Sequence, residues 1–514
     1  MQAVNRIVCN TSIQYVRLLF TFGLSLFSTR FILIALGDID YGIYNLLSGI
    51  ILLLSFVNAA MTVTTQRYLS VSQGSGDLLQ QNRIFINSLV LHIILAVIVI
   101  ILIEISGLFI FNGFLNIPEQ RISEAYYVYH FMGLTVFFTV LSVPFVATLT
   151  AHENIFWISI VYIIEAILKF LISVLLIYFF KFKLITYGLL ITLVSAVTFF
   201  LYAFYCQRKY VECSVVSIRY WDKKTIKMLA SFASWNLLNV LTSLGENQGL
   251  AILLNKFMGA YINAAYGIAN QVSSQLNFIS QSLLNAVNPQ IMKSEGMCDR
   301  GKMLRLSMLT SKYGFFLLAI FALPCIFEMP SILRTWLGDV PNYTVLFCRW
   351  MLVVALLNQL TIGLASANQA IGKIKIYMLT IGSIRLLILP LGFFLLKLGY
   401  PIYGLFGCYA FLVGLASIVR VYLMKKLVNL DVYEFCIKVF LKILIPFFFS
   451  VLSCYYITKI DLGNCRFIYT IIFSGLIFII SIYWFGMGKE ERCLLKQICS
   501  KISKSMIGWY EKRK

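Results

Sequence analysis

Long apolar runs recur along this 514-residue sequence, with only short polar interruptions between them. Most runs contain about twenty residues, the length that an α-helix needs to cross ~30 Å of bilayer hydrocarbon. Hydrophobic residues make up 60% of the chain and charged residues only 12%, a balance that excludes an ordinary soluble protein. The runs leave no room for a soluble catalytic domain. The sequence therefore predicts an all-α polytopic membrane protein.

The runs predict about fourteen transmembrane helices. They lie near 10–36, 41–70, 84–111, 125–150, 155–180, 184–207, 229–256, 262–290, 304–328, 343–370, 374–397, 400–424, 437–457 and 466–486. The first run is too long for a signal peptide and is expected to be retained as a helix. An even number of helices places both termini on the same side of the membrane.

Lysine and arginine side chains are distributed unequally between the two sides. Of the 42 in the chain, 26 fall in the loops and tail on the side of the termini, 8 in the opposite loops and 8 within helices. The positive-inside rule then predicts a plasma (inner) membrane protein with cytoplasmic N- and C-termini. The net charge of +21 follows mostly from this topology, so it does not indicate nucleic-acid binding.

A repeated phrase indicates two related halves. YGIYN at 41–45 opens the second predicted helix, and YGIAN at 266–270 opens the eighth, each shortly after a glycine, Gly37 or Gly259, that ends the preceding helix. The longest internal polar break separates the two halves. The sequence thus predicts two pseudo-symmetric six-helix lobes and two further helices. The expected divisions are an N-lobe (1–207), a cytoplasmic linker (208–228), a C-lobe (229–424), helices thirteen and fourteen (425–486) and a basic amphipathic tail on anionic lipid (487–514).

Polar residues recur on single faces of the first two predicted helices of each lobe. A polar side chain facing lipid is costly, so such stripes indicate a wet or protein-lined surface. The stripes contain Gln14, Arg17, Thr21, Ser25 and Ser28; Asn45, Ser48, Ser55, Thr62 and Gln66; Ser231, Trp235, Asn239, Thr242 and Glu246; and Asn263, Asn270, Ser274, Asn277, Gln281, Asn285 and Asn288. Lobes that present these stripes to each other would enclose a hydrophilic cavity. The alternative is that the stripes hydrogen-bond neighbouring helices.

Charged residues inside the predicted helices narrow the site. Arg17 shares the stripe of the first helix, and Arg385 lies about 18 Å from the nearest end of its helix, so both need water, a partner or a ligand. Arg30 lies on the opposite face from Arg17 and either lines the cavity or extends to the membrane surface. Glu165 and Lys169, four residues apart, can neutralise each other.

Glu246 is an acid within a polar stripe and has no basic residue within one helical turn. Desolvation favours the neutral form of such a carboxyl, which makes Glu246 a candidate carrier of H⁺ or Na⁺. Pairing with a cavity arginine is the alternative. No catalytic triad, nucleotide-binding motif or Cys/His metal cluster accompanies it, so the sequence predicts transport rather than an enzyme, with no metal and no cofactor beyond the coupling ion.

The segment STRFILIALGDIDYGIYNLLSGI (28–50) is similar to the opening of polysaccharide-transporter (Wzx-type) flippases of the MOP superfamily. That superfamily includes the lipid II flippase MurJ and the MATE drug exporters, and the second-half YGIAN and the fourteen-helix layout extend the resemblance along the chain. The resemblance implies two six-helix lobes around a central cavity and translocation of undecaprenyl-pyrophosphate-linked oligosaccharide repeat units to the outer leaflet. It also implies cavity arginines, including some on the first helix, which matches Arg17 and Arg30.

The residue chemistry agrees with that cargo, since guanidinium groups suit pyrophosphate and amides suit a glycan. The predicted substrate site comprises Arg17, Arg30, Asn239, Asn270, Asn277, Gln281 and Arg385. The expected partners are a lipid-linked oligosaccharide, membrane lipids and other polysaccharide assembly proteins, with no nucleic acid.

Three alternatives remain open. A MATE-type cation-coupled exporter would share the two lobes but usually has twelve helices. A lipid II flippase would differ in cargo rather than in fold. An O-antigen polymerase or ligase, which is an enzyme, would carry a long external loop with arginines, whereas the outer loops here are short.

Overall fold

The computed structural model describes residues 2–52, 56–109, 111, 119–179, 182–214, 220–259, 261–337, 339–460 and 466–493. These residues are helical almost throughout and include no β-strand. The α-helices are α1 (Gln2–Leu52), α2 (Phe56–Ser75), α3 (Leu78–Phe109), α4 (Ile122–Ala151), α5 (Ile155–Phe179), α6 (Lys183–Lys209), α7 (Val211–Ser214), α8 (Lys223–Met258), α9 (Tyr261–Gly296), α10 (Arg300–Leu337), α11 (Thr344–Gln359), α12 (Ile362–Ile371), α13 (Ile374–Leu386), α14 (Ile388–Lys397), α15 (Ile402–Val428), α16 (Val432–Phe435), α17 (Leu441–Thr458) and α18 (Arg466–Ser481). Of the amphipathic tail predicted for 487–514, residues 494–514 lie outside the described residues.

Within the described residues, ten helical stretches are long and apolar enough to cross a membrane, or eleven when the bent pair α11 and α12 counts as one span. The all-α polytopic class is therefore confirmed. Three predicted helices, near 41–70, 229–256 and 262–290, are not among these stretches. The last two correspond to α8 and α9, continuous helices of 36 residues each, whose polar stripes lower their hydropathy. The first is divided between α1 and α2, on either side of 53–55.

Several predicted helix boundaries differ from the structure. The predicted first helix and the start of the second run together as α1, interrupted only at Gly37. The predicted tenth helix bends by 45° between α11 and α12. The Arg420 guanidinium holds that bend, because it donates to the Thr361 hydroxyl at 2.8 Å and to the Asn358 amide oxygen at 3.4 Å. Hydropathy could not show the bend, since the run of apolar residues continues through it.

The paired glycines support the predicted internal repeat. Gly37 has φ 74° and ψ 172°, and Gly259 has φ 89° and ψ 170°. A positive φ is a conformation that glycine adopts at little cost and that side chains disfavour. The sequence predicted that a glycine ends the helix before YGIYN and before YGIAN, and the structure gives the two glycines similar backbone angles.

Each half of the chain packs around its own apolar core. In the N-lobe (α1–α6), Leu47 and Tyr129 belong to one buried cluster, and Phe85 and Phe145 to another, with their rings 5.5 Å apart. In the C-lobe (α8–α15), the largest cluster contains Phe347 and Phe406. Burial of such side chains stabilises each bundle by roughly 1.5–3 kcal/mol per large apolar residue, less where lipid rather than water is the alternative contact.

The last helix, α18, is attached to the C-lobe through a buried carboxylate. Glu328 of α10 is fully buried, and its carboxylate accepts hydrogen bonds from the Arg466 guanidinium at 2.8 Å and from the Thr470 hydroxyl at 3.0 Å. Both partners lie on α18. Because a buried charge is tolerated only with such partners, this cluster fixes α18 against α10.

The linker between the lobes positions the start of α8. The Asp222 carboxylate caps the helix by accepting from the backbone N–H groups of Lys224 at 3.0 Å and Thr225 at 3.1 Å. Hydrogen bonds from the Thr225 hydroxyl and these N–H groups hold the pKa of Asp222 below its usual value. The side-chain amide of Asn87 on α3 donates to the Tyr220 carbonyl oxygen and accepts from the Asp222 backbone N–H. These bonds fix the start of α8 to the N-lobe.

Candidate functional site

A polar cavity of about 560 Å³ lies between α1 and α5 of the N-lobe. The stripe predicted for the first helix faces it, because residues three or four positions apart share one face of a helix. From α1 the lining includes Arg17, Thr21, Ser25 and Ser28, and from α5 it includes Tyr162, Glu165 and Lys169. The cavity is thus lined by hydroxyl and charged groups, although both helices are apolar enough to be candidate spans.

Arg17 is the uncompensated cation of this cavity. Its guanidinium carbon lies 4.6 Å from the centre of the Tyr162 ring, a distance at which the ring face attracts a cation. Lys169 donates to the Glu165 carboxylate at 2.6 Å, so that acid is already paired, as the sequence predicted. No carboxylate of the described residues forms a salt bridge with Arg17. The cavity therefore has a net positive charge, carried by a planar group with several free N–H donors.

A second polar cavity, of about 440 Å³, lies in the C-lobe. Asn270, Asn277 and Gln281 of the α9 stripe line it, together with Asn358 and Gln359 of α11. The side-chain amides offer both donors and acceptors. Such a lining can hydrogen-bond many hydroxyl groups of a ligand without requiring one fixed charge.

Arg385 of α13 and Glu246 of α8 form an ion pair at the wall of this cavity. The Arg385 Nη2 atom lies 2.6 Å from Glu246 Oε2. The Glu246 side chain is fully buried, whereas 21% of the Arg385 side chain is exposed and lines the cavity. Pairing with a cavity arginine, which the sequence left open, is therefore the arrangement observed. The predicted ion-coupling role of Glu246 stays a prediction.

Phe278 joins the two cavities, since it is a lining residue of both. The adjacent residue contacts the N-lobe directly, because the Tyr15 hydroxyl donates to the Ile279 carbonyl oxygen at 2.7 Å. The two lobes therefore meet along α1 and α9, with one polar cavity on each side of this contact.

Two of the predicted site residues lie elsewhere. Arg30 is exposed and lines neither cavity, and Asn239 lines neither cavity either. Their predicted binding roles stay predictions. Conversely, the prediction of the site omitted Tyr162, Glu165 and Lys169, which line the N-lobe cavity. Their spacing of three and four residues along α5 places all three on one helix face, which is the signal that could have identified them.

The lobes contact each other at the end of the bundle that carries the basic loops, hereafter the basic end. Lys293 of α9 donates to the Glu153 carboxylate at 2.7 Å, and the Glu153 backbone oxygen accepts from the Asn10 amide at 3.0 Å. Arg67 of α2 donates to the carbonyl oxygens of Gln369 and Ala370 at 3.1 and 3.0 Å. These bonds join distant parts of the chain and close the basic end.

Two glycines allow α2 and α9 to approach closely there. A Cβ added at Gly296 would lie 2.0 Å from the Val71 carbonyl oxygen, and one added at Gly74 would lie 2.2 Å from the Lys293 carbonyl oxygen. No other residue type fits at this separation. The backbones of the two lobes are therefore in direct contact at the basic end.

Solved structures share this architecture. The MATE transporter ClbM in complex with Rb⁺ matches with a TM-score of 0.71 and 15% identity, covering 84% of this chain and 96% of that chain. An outward-facing MATE transporter of the MOP superfamily matches with a TM-score of 0.69 and 15% identity, covering 82% of this chain and 95% of that chain. A MOP superfamily transporter from Pyrococcus furiosus matches with a TM-score of 0.69 and 13% identity, covering 82% of this chain and 95% of that chain.

No protein-family model and no curated protein matches the sequence. At 13 to 15% identity, what is shared with the solved structures is the fold. The chain therefore has the fold of MATE transporters of the MOP superfamily, the coarser part of what the sequence resemblance implied.

Proposed function

We propose that this protein is a flippase that moves undecaprenyl-pyrophosphate-linked oligosaccharide repeat units from the inner to the outer leaflet of the plasma membrane. The two lobes alternate in exposing the cavities to either side, with H⁺ or Na⁺ as the coupling ion. The observation that carries the proposal is Arg17, whose guanidinium lies in a polar cavity and forms no salt bridge with any described residue. A pyrophosphate accepts two parallel N–H bonds from such a group.

The C-lobe cavity supports the glycan part of this cargo. Asn270, Asn277 and Gln281 offer amide donors and acceptors, which suit the many hydroxyl groups of an oligosaccharide. Both cavities lie within the 300–1,000 Å³ range that is typical of ligand sites. One ligand that spans the two would place its anionic end at Arg17 and its sugars beside α9.

Closure of the basic end supports alternating access. If that end faces the cytoplasm, as the positive-inside rule predicts, the Glu153–Lys293 pair and the Gly74–Gly296 contact close the cytoplasmic side. The cargo would then leave toward the outer leaflet. In the opposite state these contacts must separate so that the headgroup can enter from the inner leaflet.

Substitution of Arg17 tests this proposal. A charge-assisted hydrogen bond contributes roughly 1.5–3 kcal/mol, so Arg17→Ala should lower transport about tenfold to a hundredfold at near-normal protein abundance. Arg17→Lys should be intermediate, because an ammonium keeps the charge and loses the planar fork. The measurement is surface glycan per membrane-inserted molecule in cells that depend on this gene.

Arg30→Ala removes the same charge from the same helix at a position that lines neither cavity, so it separates a loss specific to the cavity from a general loss of charge. Retained transport would assign the role to Arg17 alone, and lost transport would support the binding role that the sequence predicts for Arg30 as well. Full transport by Arg17→Ala, or normal surface glycan after deletion of the gene in cells without a redundant transporter, would reject the proposal.

A second candidate function is a MATE-type cation-coupled exporter of small molecules. It is favoured by the fold shared with the MATE transporters and by Glu165, whose carboxylate lines the N-lobe cavity. A cationic drug would use that carboxylate rather than Arg17. Drug efflux that is lost in Glu165→Gln and retained in Arg17→Ala would support this candidate over the flippase.

A further inference from the structure

A separate basic pocket of about 410 Å³ lies at the basic end, between α10, the start of α17 and the chain that follows α18. Five of its lining residues are basic and two are acidic. The basic residues are Arg305, Lys312, Lys438, Lys442 and Lys489. None of them lines the two cavities described above.

Both acidic residues of this pocket are already bonded. Glu491 accepts from the Lys312 ammonium at 2.7 Å with each carboxylate oxygen, and Glu490 pairs with Arg305. Lys438 is paired outside the pocket, with Glu434 one helical turn away. These pairs leave the remaining two lysines without an acidic partner.

Lys442 and Lys489 are these two lysines, and neither forms a salt bridge within the described part of the chain. Lys442 belongs to the candidate span Val432–Thr458, whereas Lys489 follows the end of the candidate span Arg466–Gly486. An ammonium within a span is costly unless water or an anion compensates it. The pocket therefore presents two positive charges to an anion near the end of these spans.

The rest of the lining indicates an anion that is attached to an apolar group. Met308 and Leu309 of α10 face the same pocket. An apolar wall beside ammonium groups suits a phospholipid, whose phosphate would meet the lysines while the start of its acyl chains contacts these side chains. Anionic phospholipids are abundant in the cytoplasmic leaflet, the one that basic segments normally face.

We propose that this pocket is a binding site for the phosphate headgroup of an anionic phospholipid. The lipid bridges α10, α17 and the segment after α18. The bound lipid would thereby hold the two C-terminal helices against the C-lobe at the basic end. The cluster that Glu328 forms with α18 lies at the opposite end of α10. The site is independent of the transported cargo, because neither cavity contributes a residue to it.

Native mass spectrometry of the full chain tests the site, with the protein taken from nanodiscs that contain equal amounts of phosphatidylglycerol and phosphatidylcholine. The wild-type protein should retain phosphatidylglycerol in preference to phosphatidylcholine. The double variant Lys442→Gln/Lys489→Gln should lose about tenfold or more of that preference, the effect of removing a charge-assisted contact. Neither substitution breaks a salt bridge of the described chain, so folding should be unaffected, as thermal unfolding in detergent will verify.

The charge-matched control is Lys302→Gln/Lys373→Gln, which removes two exposed lysines at the basic end outside the pocket. It should retain the wild-type preference. An equal loss in the control, or no preference in the wild-type protein, would overturn the proposal. Soluble glycerol phosphate should fail to displace the lipid, and displacement at millimolar concentration would reduce the site to a general phosphate site and refute the lipid assignment.

Discussion

Gly296→Ala should open the basic end of the protein. The added Cβ would lie 2.0 Å from the Val71 carbonyl oxygen, whereas real Cβ contacts stay above 3.0 Å. The backbones of α2 and α9 must therefore separate by about 1 Å, at a cost that overpacking places at roughly 1–3 kcal/mol. The strain exists only while the lobes are closed. The ratio of closed to open molecules should fall by about fivefold to 150-fold.

Pulsed electron spin resonance measures this ratio as a distance distribution. Spin labels at Gln80, introduced as cysteine, and at Cys298 report on opposite lobes near the contact, and both residues are exposed. The other exposed cysteines are replaced by serine. In Gly296→Ala the distribution should shift toward longer distances, and transport should decline because the closed state forms rarely.

Gly267→Ala is the matched control on the same helix, because an added Cβ there meets no atom within 4 Å. It should leave the distribution unchanged and, since alanine favours helix more than glycine does, slightly stabilise α9. A Gly296→Ala distribution identical to that of the wild-type protein and of Gly267→Ala would refute the assignment of this contact as the closure between the lobes.

Three further predictions concern the ion pairs and the topology. Arg385→Ala should lower stability by about 3 kcal/mol, because it leaves the buried Glu246 charge unpaired, and the double variant with Glu246→Gln should recover most of the loss in thermal unfolding; no recovery would show that the two residues act separately. Glu328→Gln should loosen α18 and speed its proteolysis, and an unchanged cleavage rate would contradict the clamp with Arg466. Reporter fusions after residues 224 and 512 should both report the cytoplasm, and opposite signals would disprove the even-numbered topology.

Local periodicity explains why much of the fold could be predicted from the sequence. A helix in a membrane satisfies its own backbone hydrogen bonds, so apolar length alone locates most spans. Side chains four residues apart share a face, so the stripe from Arg17 to Ser28 could be assigned to a cavity before any packing was known. Gly37 and Gly259 were identifiable because they precede the similar phrases YGIYN and YGIAN, and the structure gives both a positive φ.

Partner choice between distant residues was not predictable in the same way. Glu246 and Arg385 are far apart in the chain, and their pairing depends on how α8 packs against α13 and α14, where Gly249 lies against Leu389. The Glu153–Lys293 pair depends likewise on which face of α9 meets the N-lobe. A sequence shows which charges need a partner, but not which of several candidates comes within 3 Å.

The sequence by itself determined the all-helical membrane class and the polar faces of α1, α8 and α9, because each of these follows from interactions within a single helix or from the cost of polar groups in lipid. The tertiary structure decided that Arg17 meets no acidic partner among the described residues while Arg385 pairs with Glu246, that Phe278 lines two cavities, and that the basic end is closed. Those outcomes depend on distances between helices that are remote in the chain, which only the packing of the lobes fixes.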